Sequence, residues 1–390
     1  MKRTLILSLL LSIALGLSAR KFDVQRQLHY CHTQVQRTLS QLRQADGTID
    51  YTHAPRNIGA DETQWNLRDI TTPTEWCAGF FPGILWMDGD YTEAARYTSQ
   101  LEYLAYQPVY DHDLGFIMIG SFLKGYELTQ NEHYRQVLLA AADTLATLYN
   151  PAVGTLLSWP RNVKMFGGHN TIMDNMINLE LLLWAAQNGG SQRLRDIAIR
   201  HAEVTMQHHF RPDYTCYHVA IYDPKTGRHM RNCTHQGLFD ESIWSRGQAW
   251  AIYGYTMVYR YTREPRFLQF AQQVTDAMLR LLPADGIPYW DMCDPAIPNT
   301  HRDASSAAII ASALIDLAQY VPQSNSRRYR QMARRILSSL SSPAYQSGSR
   351  NPAFLMHSVG NQPAGSEIDY SISYADYYYI EALKKMEQGH

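Results

Sequence analysis

Apolar positions along this chain recur at spacings of three and four, broken by short turns and by a few long polar stretches. A period near 3.6 marks helices that bury one face. On this pattern twelve helices are expected, over residues 22–43, 75–86, 90–106, 116–129, 132–149, 172–187, 191–209, 244–261, 264–282, 304–317, 326–340 and 372–386. Start signals support the division: Asn131 stands just before Glu132, and Pro265 falls in a first turn, where its missing N–H costs nothing. The connections are of two kinds, short ones such as 129–131 and long ones rich in Gly, Pro and Asp such as 209–243 and 282–303. Helical hairpins arranged in a ring produce that inequality, with the long loops crowding one mouth. Strict alternation is brief, at 217–222, so one short strand is expected there. No fixed period calls for a solenoid, and no linker divides the chain. The expectation is an all-α double ring of twelve helices forming one domain over residues 20–390.

The first nineteen residues change the picture of where the chain works. Lys2 and Arg3 precede an apolar run from Leu5 to Leu17, and Ser18 and Ala19 supply small residues for cleavage. Residues 1–19 therefore read as a signal peptide and the remainder as exported, to the periplasm in a cell that has one. No later run is long enough to cross a bilayer. A formal net charge of -1 gives no electrostatic reason to bind nucleic acid. The five cysteines show no CxxC; Cys216 and Cys233 stand either as free thiols or as a bridge across a loop.

Candidate chemistry lies where polar clusters interrupt the helices. His112, His208 and His209 lack metal-ligand spacing, no HExxH occurs, and no GxSxG elbow is present, so neither a metal nor another cofactor is expected. Carboxylates are the stronger proposal. Asp113 precedes a helix start, where it either caps free amides or faces a mouth. Asp174 is set among Ile172, Met173, Met176 and Ile177; burial there would raise its pKa and keep the proton a general acid needs. The 26 tyrosines and 8 tryptophans suit either a wet groove or a core.

Five strings in order, Gly79-Phe80-Phe81-Pro82-Gly83-Ile84-Leu85-Trp86, Asp111-His112-Asp113-Leu114-Gly115-Phe116, Ile172-Met173-Asp174-Asn175, Trp244-Ser245-Arg246-Gly247-Gln248-Ala249-Trp250 and Tyr374-Ala375-Asp376-Tyr377-Tyr378, resemble the unsaturated glucuronyl hydrolases of glycoside hydrolase family 88. The resemblance implies an (α/α)6 barrel that removes the terminal 4,5-unsaturated uronic acid from lyase-made glycosaminoglycan oligosaccharides. It further implies Asp174 as general acid and base, Asp113 as assisting carboxylate, and Trp65, Trp159, His218, Gln236, Arg246 and Trp250 as substrate-binding residues, with Trp76 a competitor for the role of Trp65. Arg246 and His218 are expected to offset the uronate charge, and Trp159 and Trp250 to cover sugar faces. The expected partners are short unsaturated uronic-acid oligosaccharides. Two other readings stand beside this one: a related hydrolase of unsaturated rhamnogalacturonyl groups from pectin, and a noncatalytic glycan-binding protein.

Overall fold

The computed structural model describes residues 22–389, so the expected signal peptide lies outside the described residues. Twelve helices of two turns or more follow one another: α1 Val24–Leu42, α2 Phe80–Asp88, α3 Tyr91–Ser99, α4 over 114–129, α5 Glu132–Ala146, α6 Asn175–Gln187, α7 Gln192–His208, α8 Ser245–Thr262, α9 Pro265–Leu281, α10 Ala304–Leu317, α11 Gln323–Leu340 and α12 Ser373–Glu387. The even-numbered helices are buried over most of their length, whereas α1, α5, α7, α9 and α11 bury one stripe. Burial thus sorts the chain into an inner ring of six and an outer ring of six. Contacts run α2 to α4, α4 to α6, α6 to α8, α8 to α10, α10 to α12 and back to α2, which closes an (α/α)6 barrel.

Local sequence explains the sorting. Helix α10 carries Ala304, Ser305, Ser306, Ala307 and Ala308 in succession, small enough to be enclosed on every side by neighbouring helices. Helix α9 intersperses Phe267, Phe270, Ala271 and Val274 with polar positions such as Gln269, Gln272 and Gln273, so only one face enters the core. Where α2 crosses α4, a Cβ on Gly79 would lie 2.3 Å from the carbonyl oxygen of Ile117, so glycine is what permits the backbones to touch. Helix α4 answers that contact with a π turn, Ile119–Leu123, between two α-helical pieces.

Each inner helix before α12 passes to the next outer one through a link of a few residues, as at Gln130 and Asn131, where the Asn131 side chain caps α5 at 2.9 Å. Each outer helix returns to an inner one through a longer connection, so all the long connections meet at the N-terminal ends of the inner helices. They hold more strand than the single one expected. β1 (His53–Ile58), β2 (Asn66–Asp69), β8 (Ser358–Asn361) and β9 (Ser366–Ile372) pair in the order β2-β1-β9-β8, and β3 (Tyr149–Asn150) pairs with β4 (Thr155–Leu156). β5 (His169–Ile172), β6 (Val219–Tyr222) and β7 (His229–Cys233) form a third antiparallel sheet, with Ile172 opposite Val219.

Inside the barrel the core is layered along its axis. An aromatic floor of Phe80, Phe116, Trp250, Tyr377 and Tyr378 packs edge to face below the mouth. At the far end Glu381 accepts from Tyr253 and Ser312 and pairs with Lys385 at 3.2 Å and Lys124 at 3.8 Å, and the two cations and the Ser312 hydrogen bond lower its carboxyl to about 2 despite burial. All five cysteines are free thiols, Cys216 and Cys233 included.

Candidate active site

Six inner helices starting at one mouth bring six short sequence segments together. Trp76 precedes α2, Asp113 precedes α4, Asp174 precedes α6, and Arg246, Asp303 and Tyr374 sit at the starts of α8, α10 and α12. All of these except Asp303 line a cleft of about 370 Å³. Neither Asp113 nor Asp174 uses its carboxylate to cap the helix that follows it, so both side chains are left to face the cleft.

Burial dominates the acid chemistry. It raises the Asp174 carboxyl to about 7, against the pull of the Arg246 guanidinium; the Trp250 indole N–H, short of full hydrogen-bond geometry, also favours the anion. Burial likewise lifts Asp113 well above the carboxylate range, helped by repulsion from Asp111 and Asp174 and opposed by Arg161 and Arg56. Two buried carboxyls in one cleft that repel each other resist losing both protons near neutrality.

Each carboxyl faces a histidine. His218 Nε2 lies 3.7 Å from Asp174 Oδ2, while its Nδ1 accepts from the backbone N–H groups of His235 and Gln236 at 3.2 and 3.3 Å. Those two donors fix Nδ1 as an acceptor and put the proton on Nε2. Burial also pushes the imidazole far below its ordinary pKa. His218 therefore offers a neutral, unpartnered N–H near Asp174 in place of the positive charge expected of it.

Cations are present but engaged. Arg246, its side chain 2% exposed, pairs with Asp303 at 3.0 Å, donates to the carbonyls of Val359 and Gly360, and lies 4.5 Å from the Trp244 ring centre. Arg56 pairs with Glu75 and Glu367, each at 2.8 Å, and sits over Trp76. Arg161, 43% exposed, pairs with Asp111 at 2.5 Å and stacks over Tyr110 at 4.7 Å.

Of the residues expected from sequence, Asp113, Asp174, Trp159, Gln236 and Arg246 line the cleft, and His218 stands directly behind Asp174. Trp159 is held by Asn170, which bonds its backbone N–H at 2.9 Å, and it stacks on Phe166 with its edge toward His218. Trp250 is fully buried in the aromatic floor against Phe116, so it supports Asp174 from below and presents no face to the cleft. Trp65 packs with Ile58 and Ala353 and donates to Thr38 at 3.0 Å, away from the cleft; of the two competitors, Trp76 lines it. Arg56, Arg161 and His235 were not anticipated. Arg56 and Glu367 lie on strands that the local pattern does not announce, although Tyr374 belongs to a string already singled out.

A proton-holding carboxyl pair in a cleft walled by indoles and arginines, at the mouth of an (α/α)6 barrel, defines a glycosidase-class site. Comparison with known proteins agrees. The chain belongs to glycosyl hydrolase family 88, whose sequence profile matches residues 58–389, and it is a glycoside hydrolase. It is 42% identical over 324 residues to an unsaturated glucuronyl hydrolase of Formosa agariphila, covering 80% of each chain. It is 31% identical over 355 residues to an unsaturated chondroitin disaccharide hydrolase of Streptococcus pyogenes serotype M1, covering 88% of each. The crystal structure of an unsaturated glucuronyl hydrolase specific for heparin superposes with a TM-score of 0.85 at 36% identity, over 94% of this chain and 97% of that one.

Proposed function

We propose that the chain releases the non-reducing-end 4,5-unsaturated uronic acid from lyase-generated glycosaminoglycan oligosaccharides, with Asp174 as general acid and base and Asp113 as assisting carboxylate. The observation that carries this reading is the Asp174 carboxyl, buried beside a second acid and raised to about 7, so that a proton is at hand at neutral pH. The substrate double bond is an enol ether. Asp174 gives its proton to C4, positive charge develops at C5, and the resulting carboxylate takes a proton from the water that adds there. The hemiketal so formed opens to a ketone at C5 and a hemiacetal at C1, whose collapse to an aldehyde breaks the bond to the aglycone and releases it, while Asp174 is left protonated for the next turn. Because hydration of the alkene drives bond loss, the two carboxyls need not flank C1 as in ordinary inverting or retaining enzymes.

The uronate arrives at a mouth ringed by six helix N-termini, which favour an anion. Trp159, Gln236 and Arg246 are its proposed contacts inside the cleft, and the His218 Nε2–H, beside Asp174, stabilises the carboxylate after proton transfer. Among the former substrate candidates, Trp76 takes the place of Trp65. The next sugar is proposed to pass the β8–β9 connection, where Ala364, Ser366 and Glu367 line the cleft and the Glu367 carboxylate is already taken by Arg56 and Asn57. Export also belongs to this proposal, carried by the basic and apolar leader of residues 1–19. The test is a panel of lyase-made chondroitin, hyaluronan, heparin and pectin disaccharides, followed by loss of the ultraviolet band of the C4–C5 double bond and by product masses. Turnover of glycosaminoglycan members is expected. Turnover of pectin fragments alone would assign the rhamnogalacturonyl reaction instead, and binding without loss of the band would leave a glycan-binding protein.

A further inference from the structure

Asn178, on the second turn of α6, is fully buried between the first turn of α4 and His112. Its Oδ1 accepts the backbone N–H of Phe116 at 2.7 Å, and a backbone N–H can only donate. The amide is thereby oriented with no freedom to flip, and its Nδ2 must donate to His112 Nδ1, 2.7 Å away. The close approach depends on Gly115, where a Cβ would fall 2.4 Å from Asn178 Oδ1. With Nδ1 held as acceptor, the neutral imidazole carries its proton on Nε2. That atom has no hydrogen-bond partner among the described residues and points its N–H toward Asp113 Oδ1, 3.5 Å away. Burial and the Arg161 charge keep His112 neutral, down at about 3.

We propose that Asn178 and His112 are positioning residues of the reaction: through the Asn178 amide, a backbone N–H of α4 decides which imidazole nitrogen of His112 is protonated, and that nitrogen presents its N–H to Asp113. The inference rests on the reading of Asp113 as the assisting carboxylate. Asp113 is also faced by Asp111, Asp174, Arg161, Arg56 and Cys77. Two of these are carboxyls that repel its charge, and burial lifts it further, so a fixed N–H aimed at Asp113 opposes that rise and favours its anion. The arrangement parallels that of His218 and Asp174, with one difference. The His218 Nδ1 is locked by loop amides, whereas that of His112 is locked by a side chain that substitution can reverse.

The substitution that reverses it is Asn178→Asp. A carboxylate at 178 still accepts from Phe116 but also accepts from His112 Nδ1, so the imidazole proton moves to Nδ1 and a lone pair faces Asp113. Nitrogen NMR of the labelled imidazoles, assigned with His112→Gln, is expected to show Nε2 protonated in the wild type and Nδ1 protonated in Asn178→Asp. Loss of a hydrogen bond to a charged group predicts kcat lower by about 10- to 100-fold with KM little changed, and the acid limb of the pH profile raised by about one unit. His112→Leu should behave like Asn178→Asp, and His112→Gln, whose amide can still donate, should restore most of the rate and the original limb. A wild-type His112 protonated on Nδ1 would overturn the proposal. So would an unchanged rate and limb in Asn178→Asp alongside an inactive Asp113→Asn. Full turnover by a folded Asp113→Asn would instead remove the reading on which the proposal stands.

Discussion

Raising the pH from about 6 to about 8 should switch this enzyme off through Asp174, and the size of the effect follows from the site. Burial lifts the carboxyl to about 7, with the Arg246 guanidinium opposing it. The protonated fraction then falls from roughly nine-tenths at about pH 6 to a half near 7 and to roughly one-tenth at about pH 8. If only the protonated acid can deliver a proton to C4, kcat/KM declines nearly tenfold across that range. Asp113 sits close enough to repel Asp174, so the limb belongs to the pair and not to one residue. Neither His112 nor His218 produces it, because burial holds both imidazoles neutral throughout the range. The assay is initial-rate loss of the unsaturated chromophore at subsaturating substrate, in buffers of matched ionic strength and again at high salt. A limb set by burial stays in place as salt is raised, whereas one set by exposed charges shifts as these are screened. A flat profile between about pH 6 and 8 would refute the assignment of the acid, and a limb that moves with salt would refute its cause.

Three further outcomes follow from the packing. Gly79→Ala drives a methyl into the Ile117 backbone, which cannot yield as a side chain would, and should cost about 1–3 kcal/mol in thermal or denaturant unfolding; a neutral result would mean that the α2–α4 contact is looser than described. Arg246→Met leaves the fully buried Asp303 without its partner and should cost about 3–5 kcal/mol, part of which Asp303→Asn in the same chain should recover. The pH dependence of stability has two opposed sources. His112 and His209 titrate at about 3 and His169 at about 4 when folded, against 6.5 ordinarily, so the unfolded chain binds more protons and stability is lost as pH falls from 6.5 through those values. Asp174 at about 7 and Asp376 at about 8 keep protons that the unfolded chain sheds above 3.8, so their contribution is lost as pH rises from 3.8 through 7 and 8. The thermal midpoint should therefore decline on both sides of mildly acidic pH; a midpoint that keeps rising from about pH 6 to 8 would contradict this balance.

What the sequence disclosed and what it withheld divide along local and long-range interactions. All twelve helices were legible, the outer ones from a one-sided period and the inner ones from long apolar runs bounded by polar links, and the alternation of short and long links already placed the loops at one mouth. Their ends were less so: Glu75, Trp76 and Cys77 lie in a turn before α2, and the helix expected to reach Tyr106 stops at Ser99, with a 3-10 turn beyond. The strands were largely illegible because most are very short and their partners are remote, as where Asn57 meets Ile372. That same distance hid Arg56 and Glu367, which meet only when β1 and β9 pair. Asp174 was legible from its apolar neighbours alone. Trp65 and Trp76 were not separable by local pattern, since only a remote contact, the Thr38 hydroxyl on α1, takes the Trp65 indole away from the cleft. Trp250 shows the opposite case: it sits in a motif rich in polar residues, yet the period of α8 turns it into the floor.

The central claim is that one carboxyl, Asp174, both protonates the alkene and activates the water. Asp174→Asn keeps the size and most of the polarity of the side chain while removing the transferable proton, so the variant should fold and bind the unsaturated disaccharide. Following the double-bond absorbance of wild type and Asp174→Asn on the same lyase-made disaccharide, with binding measured in parallel, tests the claim most directly. The account predicts rapid loss of the band with the wild type and none with a folded variant that still binds; turnover by that variant at an undiminished rate would contradict it.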